Sequence, residues 1–203
     1  MIWQRGIVWD AQKNGYLNTG QSISCVNRTS IETLLSKGKK YNNIYGNITH
    51  SPMATVDNDA KSCYDRIVAT LALLMSNKFG APDEFCRTVG STLRTMQFSI
   101  RTAMGDSPKT YSHSSDTPIH GVGQGGTASP TLWLLLSSIL FDCYQRKAHG
   151  MTMSDPTDSI SINQWLESIV DDLSRFTKLA ADDDIHTLVY TLEQDLSSLM
   201  NLS

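Results

Sequence analysis

Two stretches of this sequence bring carboxylates close together. "MATVDNDAKSCYDRIV" carries Asp57 and Asp59, with Asp65 further on, and "SIVDDLSRF" sets Asp171 and Asp172 side by side among Ile169, Val170, Leu173 and Phe176. Adjacent carboxylates repel each other, and each loses hydration if it is buried. A divalent cation resolves that conflict, because Mg²⁺ takes oxygen ligands from one or two carboxylates together with substrate phosphates. Carboxylates shared by two ions about 3.5–4 Å apart are what two-metal phosphoryl transfer needs. There one ion lowers the pKa of an attacking hydroxyl and both stabilise the leaving oxygen. An exposed acidic turn explains "IVDDL" equally well when that stretch is taken alone.

The elements around these residues decide whether they can meet. "MATV" (53–56) is a short apolar strand that runs into "DND". From Cys63 to Phe79 the apolar residues recur at helical spacing, and Gly80 ends the run. A second helix is expected from Pro82, with Asp83 and Glu84 in its first turn where the helix dipole favours them. "MQFSIRT" alternates like a strand, "GDSP" supplies a turn, and "KTYSH" returns as the hairpin partner. A Gly-rich loop, "HGVGQGGTASP", leads into a buried helix over 130–146, with Ser129 and Pro130 at its start. "INQWLESIV" and "LSRFTKL" flank the aspartate pair like two strands around a tight turn. In "DDDIHTLVYTLEQDLSSLM", Ile185, Leu188, Val189, Leu192, Leu196, Leu199 and Met200 fall on one helical face. Earlier in the chain, "NRTSIETLLSKGKKY" (27–41) reads as a helix followed by a polar loop. Strands that pair locally, with helices packed on one side, make an α+β pattern with a mainly antiparallel sheet.

Asp171 and Asp172 then sit at the tip of a hairpin spanning 163–178. A plain two-residue turn would use Asn-Gly or Asp-Gly, so Asp-Asp is poorer turn chemistry. Carboxylates at the ends of adjacent strands can converge, and Asp57 and Asp59 close the earlier strand.

The 203 residues suffice for one domain or a large piece of one, at 40% hydrophobic, 18% charged and a net charge of -3. That balance reads as globular, and the acidic sign argues mildly against a nucleic-acid binder, although Lys37, Lys39 and Lys40 cluster locally. Cys25, Cys63, Cys86 and Cys143 are scattered, which argues against a zinc site or a disulfide framework and suits a reducing, intracellular compartment. The most apolar run, "LWLLLSSILFDCY", falls short of the roughly 20 apolar residues a membrane span needs, so no membrane is expected as a partner.

"GVGQGG" (121–126) fits the dinucleotide fingerprint, but that motif must follow a buried strand directly and "SHSSDTPIH" precedes it here. "ADDDI" (181–185) reads as helix capping rather than a metal cluster.

Three of these stretches, in this order, resemble the palm motifs of reverse transcriptases. "DAKSCYDRI" is similar to the first, an aspartate followed by an aromatic and a second aspartate, here Asp59, Tyr64 and Asp65. "GVGQGGTASPTLW" is similar to the second, a G-x-P-Q-G loop with Ser-Pro opening a helix, and "IVDDL" to the third, an aspartate pair on a hairpin. "DAQKNGYLNTGQ" and "NRTSIETLL" resemble the segment before the first motif in retrotransposon and group II intron enzymes.

The resemblance implies a polymerase palm (51–203) with a fingers remnant (1–50) and no thumb. It implies RNA-directed DNA synthesis from an RNA template and a DNA primer, using deoxynucleoside triphosphates and two Mg²⁺, with Mn²⁺ as a substitute. Asp59 and Asp171 would ligate both ions, with Asp172 supporting them. Ala60 and Tyr64 would contact the nucleotide, with Tyr64 stacking under the sugar and excluding a 2′-hydroxyl. Gln124 and Gly125 would line the nucleotide pocket, and Arg28 would touch the template backbone. The chain departs from the family at Gly123, where Pro is usual, at Ile169, and before Arg28, the one survivor of two arginines. Basic fingers motifs are also missing upstream. The alternative expectation is therefore a truncated or decayed palm without catalysis, at most a nucleic-acid-binding remnant.

Overall fold

The spacing of apolar residues and the turn chemistry produce helices and short antiparallel strands. The computed structural model describes residues 2–18, 53–59, 62–114, 120–123, 125–154, 157, 159, 161–170, 172–178 and 184–200. The expected helix over 27–41, its following loop and the lysine cluster lie outside them. Helix α1 (Ile2–Lys13) has no counterpart in the sequence reading. Its signal is there in retrospect: Ile7, Val8 and Ala11 share a face, and all three are buried.

The chain forms two units, Met1–Asp10 with Ser62–Leu136, and Ala11–Lys61 with Ser137–Ser203. In the first, the single helix expected over 63–79 is two, α2 (Cys63–Arg66) and α3 (Ala69–Lys78), separated by extended backbone at Ile67 and Val68. The Gly-rich loop is the cause. Val122 N–H donates to the Tyr64 carbonyl at 2.9 Å and Gly121 N–H to the Ile67 carbonyl at 2.8 Å. A continuous helix would use those carbonyls internally, so the loop replaces its hydrogen bonds. Gly121 is required there: its φ is +103°, and a Cβ would stand 2.8 Å from the Asp65 Cα.

Gly80 ends α3 as expected, with φ +92°. Helix α4 (Asp83–Thr95) follows Pro82 with Asp83 and Glu84 in its first turn, and Asn77 Nδ2 donates to the Asp83 carboxylate at 2.6 Å. Strands β2 (Gln97–Thr102) and β3 (Gly105–Ser112) form the expected hairpin, but its turn is at Ala103–Met104, not at "GDSP". "GDSP" lies in β3 instead, where Arg101 and Asp106 are opposite each other and pair at 2.6 Å. Pro108 is accommodated because the ladder shifts register between Ser99 and Arg101, where a missing N–H is tolerated.

The second unit is built on a three-stranded antiparallel sheet, β1 (Met53–Asp59), β7 (Asp172–Lys178) and β6 (Leu166–Ile169), in the order β1-β7-β6. "INQWLESIV" is not one strand. It breaks at Trp165, and its first part, β5 (Ser161–Gln164), pairs with β4 (Met151–Ser154), an unexpected strand. Helix α5 (Ser129–Gln145) starts where Ser-Pro predicts. Ser129 Oγ donates to the Val122 and Gly123 carbonyls at 2.8 and 2.7 Å, tying the Gly-rich loop to the helix. The helix is buried along much of its length, and Phe141 and Tyr144 pack with Leu166, flanked by Leu140, Trp165 and Leu173.

Helix α6 (Ile185–Met200) is capped by Asp184, whose Oδ1 accepts from Thr187 N–H at 2.9 Å and from its hydroxyl at 3.0 Å. Those bonds hold the Asp184 carboxyl below the usual carboxylate range. Capping thus holds at Asp184, with 181–183 outside the described residues. The buried face of α6 differs from the expected one. Thr191 and Asp195 are buried, whereas Val189 and Tyr190 are exposed. The molecule is α+β, and every strand pairing among the described residues is antiparallel. That leaves the Gly-rich loop without the parallel βαβ setting a dinucleotide site needs.

Candidate functional site

Strands β1 and β7 pair along their whole lengths, from Met53 opposite Lys178 to Asp59 opposite Asp172. Side chains fix this register from both faces. The Ser174 hydroxyl donates to the Asp57 carboxylate, and Arg175 Nη2 donates to the Asn58 side-chain oxygen at 2.5 Å. A slip of one residue would exchange the faces and break both contacts. Because strand side chains alternate, Asp57 and Asp59 share a face with their partners Ser174 and Asp172.

At the end of this ladder the two carboxylates stand directly opposite each other. Both are exposed. Cα atoms of directly opposed antiparallel residues are about 4.5–5.5 Å apart, and like charges so placed are destabilising. Asp57 is different, since its carboxylate accepts a hydrogen bond from the Ser174 hydroxyl. Asp59 and Asp172 have no hydrogen-bond or ion-pair partner among the described residues.

The hairpin tip explains how the pair is presented. Ile169 lies opposite Asp172, so the hairpin closes directly after Ile169, with Val170 as its first turn residue. Val170 has φ +59°. Tight hairpin turns demand positive φ, but a β-branched residue normally avoids it, at a cost of about 1–3 kcal/mol. The Ser168 hydroxyl donates to the Val170 carbonyl at 3.2 Å and braces this conformation. The chain holds a strained valine where asparagine or glycine would relax the turn.

The structure therefore brings Asp59 and Asp172 together. Asp171, Ala60, Gln124 and Arg28 lie outside the described residues. Tyr64 and Gly125 belong to the other unit. Tyr64 is half-buried in α2, and its carbonyl holds the Gly-rich loop. Gly125 is exposed with φ +85°. Asp65 is in the first turn of α2. Among the described residues no three His, Cys, Asp or Glu side chains gather as a metal site, and no helix is long and apolar enough to cross a membrane. No family model and no curated protein matches the chain.

Sequence reasoning missed the polar cluster buried in the same unit. Asp195 on α6 accepts from the Thr177 hydroxyl at 3.1 Å and meets His149 Nδ1 at 2.9 Å. Thr177, Arg175 and Tyr144 are all nearly inaccessible. Burial, aided by the Asp195 charge, pushes the Tyr144 phenol up to about 12, while the Arg175 guanidinium opposes that shift. The phenol oxygen has no hydrogen-bond partner of good geometry. The available signal was Asp195 falling beside an otherwise apolar stripe, which helical periodicity alone assigns to the solvent side.

Proposed function

We propose that Asp59, Asp171 and Asp172 form the cation site of a reverse-transcriptase palm that extends a primer on an RNA template. The observation that carries this reading is the register pairing of Asp59 with Asp172 at an exposed sheet end. Two like charges are held opposite each other, and no side chain among the described residues neutralises them. Their chemistry fits Mg²⁺, which binds through few carboxylates and keeps positions open for substrate phosphates.

In the reaction, a primer 3′-hydroxyl attacks the α-phosphate of a deoxynucleoside triphosphate. A new phosphodiester bond forms, and the bond to pyrophosphate breaks. Bound divalent cations would supply Lewis acidity to the attacking and leaving oxygens. The protein contributes positioning: strand pairing sets the Asp59–Asp172 separation, and the braced Val170 turn sets the direction in which the tip residues leave the sheet. Tyr64, Gln124, Gly125, Ala60 and Arg28 enter this reading through the sequence motifs alone.

The test is primer extension by the full chain on a polyadenylate template with Mg²⁺, together with Mn²⁺ binding followed by electron paramagnetic resonance. Synthesis is expected to vanish in Asp171→Ala and Asp59→Asn, with Mn²⁺ affinity falling in both. Synthesis retained by Asp171→Ala would sink the assignment. Mn²⁺ binding that depends on these aspartates, without synthesis, would indicate a palm that does not turn over.

A further inference from the structure

On the second unit a buried carboxylate holds an exposed imidazole. The Asp195 side chain is 3% exposed and that of His149 58%, and His149 Nδ1 stands 2.9 Å from Asp195 Oδ1. The other carboxylate oxygen accepts from the Thr177 hydroxyl at 3.1 Å. An ionised carboxylate only accepts hydrogen bonds, so this contact puts the ring proton on Nδ1 and the lone pair of the neutral imidazole on Nε2. Nε2 has no hydrogen-bond partner among the described residues, and the exposure of the ring leaves it accessible to a solute.

The backbone around His149 is held as well as its ring. Lys147 N–H and Ala148 N–H both donate to the Tyr144 carbonyl at 2.9 Å, closing the end of α5. Gly150 follows with φ +59°, and a Cβ there would collide with the Trp165 ring. Met151 is buried and opens β4. His149 is thus fixed between a helix end and a strand, and its imidazole needs little reorganisation to react. Arg146 and Lys147 closely precede it, both exposed and neither in an ion pair among the described residues. They offer positive charge to an anionic reactant.

We infer that His149 is a phosphoryl-acceptor site, its Nε2 taking a phosphoryl group from a small donor with a good leaving group, such as a phosphoramidate or an acyl phosphate. The Nε2 lone pair attacks phosphorus and forms the new P–N bond, while the bond from phosphorus to the leaving group breaks. With phosphoramidate, ammonia departs with that electron pair. The ring becomes an imidazolium that keeps its Nδ1–H, and Asp195 accepts from that group before and after transfer. A buried acid so placed fixes the tautomer and stabilises the imidazolium without taking up the proton itself. Asp195 is therefore a positioning residue. A metal would need further ligands, and no three His, Cys, Asp or Glu side chains gather among the described residues. The inference does not rest on the polymerase reading, because these residues take no part in the carboxylate pair or in the three sequence motifs.

The experiment is incubation of the full chain with potassium phosphoramidate, read by phosphorus NMR and site-by-site mass spectrometry. His149 should be phosphorylated at least about tenfold faster than any other histidine of the chain. Asp195→Asn should remove that advantage while the rates at the other histidines stay unchanged, a pattern that a general loss of structure would not give. Arg146→Ala/Lys147→Ala alters only the exposed cations. It should slow phosphoramidate at His149 by about tenfold and leave the attack of neutral diethyl pyrocarbonate unchanged. Equal effects on the two reagents would overturn the assignment of a phosphoryl donor. A His149 rate no higher than those of the other histidines would overturn the site itself, as would full reactivity in Asp195→Asn. Asp59→Asn separates the two readings, since it should abolish synthesis while His149 is phosphorylated at the parent rate.

Discussion

The two ends of the β1-β7-β6 sheet handle charge in opposite ways. At the hairpin tip, Asp59 and Asp172 face each other in solvent, without a partner among the described residues. Further along β7, Arg175 and Thr177 are buried, and Asp195 reaches the same region from α6 with Thr177 and His149 as partners. The difference follows from desolvation. A carboxylate removed from water must receive its hydrogen bonds from the chain, because leaving it bare costs several kcal/mol. A carboxylate left in water can tolerate a like-charged neighbour, and its compensation can come from outside the protein. The satisfied acid is thus structural, and the unsatisfied pair is the one available to bind.

The strongest challenge to that contrast is Asp195→Ala. It should lower the unfolding free energy in urea by about 2 kcal/mol, since it strands the buried Thr177 hydroxyl, whereas the His149 side chain it also contacts is exposed to water. Asp59→Ala should change stability by less than about 1 kcal/mol. Equal losses in the two variants would erase the distinction.

Next in size is Val170→Gly. Releasing a β-branched residue from φ +59° should gain about 1–2 kcal/mol, offset by about 0.5–1 kcal/mol of added unfolded-state freedom. Chemical denaturation should therefore show a net gain of about 0–1.5 kcal/mol. A net loss would mean that the valine side chain contributes more by packing than its backbone costs.

A smaller effect is expected from Asp172→Asn, a gain of a few tenths of a kcal/mol at low ionic strength that disappears at high salt. In the presence of Mn²⁺ the order should invert, because the parent gains Tm from a ligand that the variant binds less well. Salt-independent behaviour would argue that the two carboxylates do not sense each other.

The smallest effect at neutral pH belongs to Tyr144→Phe. The phenol oxygen has no partner to lose, so stability at pH 7 should change by less than about 0.5 kcal/mol. The alkaline limb should differ. Tyr144 titrates near 12 in the folded chain against an ordinary value of 10. Its contribution is thus intact below pH 10 and is lost as the pH rises towards 12. The variant should lack that part of the decline, and identical alkaline profiles would count against the burial of this phenol.

Local signals carried much of the architecture. Gly80, Pro82 with Asp83 and Glu84, Ser129-Pro130 and Asp184 each act through their own turn, so their helix boundaries could be read without tertiary context. The aspartate hairpin was legible in its flanking apolar residues, but its first strand begins at Leu166 and Asp172 lies in β7 opposite Ile169 rather than in the turn. Failures occurred where a distant segment competes for backbone hydrogen bonds. Nothing within 63–79 announces a break, because the donors at Ile67 and Tyr64 come from Gly121 and Val122. The hairpin turn lies at Ala103–Met104 rather than at "GDSP", a register that sets Arg101 opposite Asp106 across the strands. Alternation also could not reveal that Trp165 divides one apolar stretch between two sheets. For the candidate site, the residue types and strand-end positions of Asp59 and Asp172 were readable, whereas their register was not, since pairing partners depend on long-range closure.

That closure sets when the site comes into being. Ser174 and Asp57 are 117 positions apart in the chain, while β6 and β7 are consecutive strands of one tight hairpin. Hairpins of that kind close in about 1–10 μs, whereas pairings of large sequence separation must first bear a long loop's entropy and come late. The aspartate-bearing hairpin can therefore be present early in folding with nothing opposite it. Only when β1 docks as the third strand does Asp59 arrive. The charge repulsion of the finished pair is thus deferred to the last stage of sheet assembly, so added salt should speed that stage by screening it.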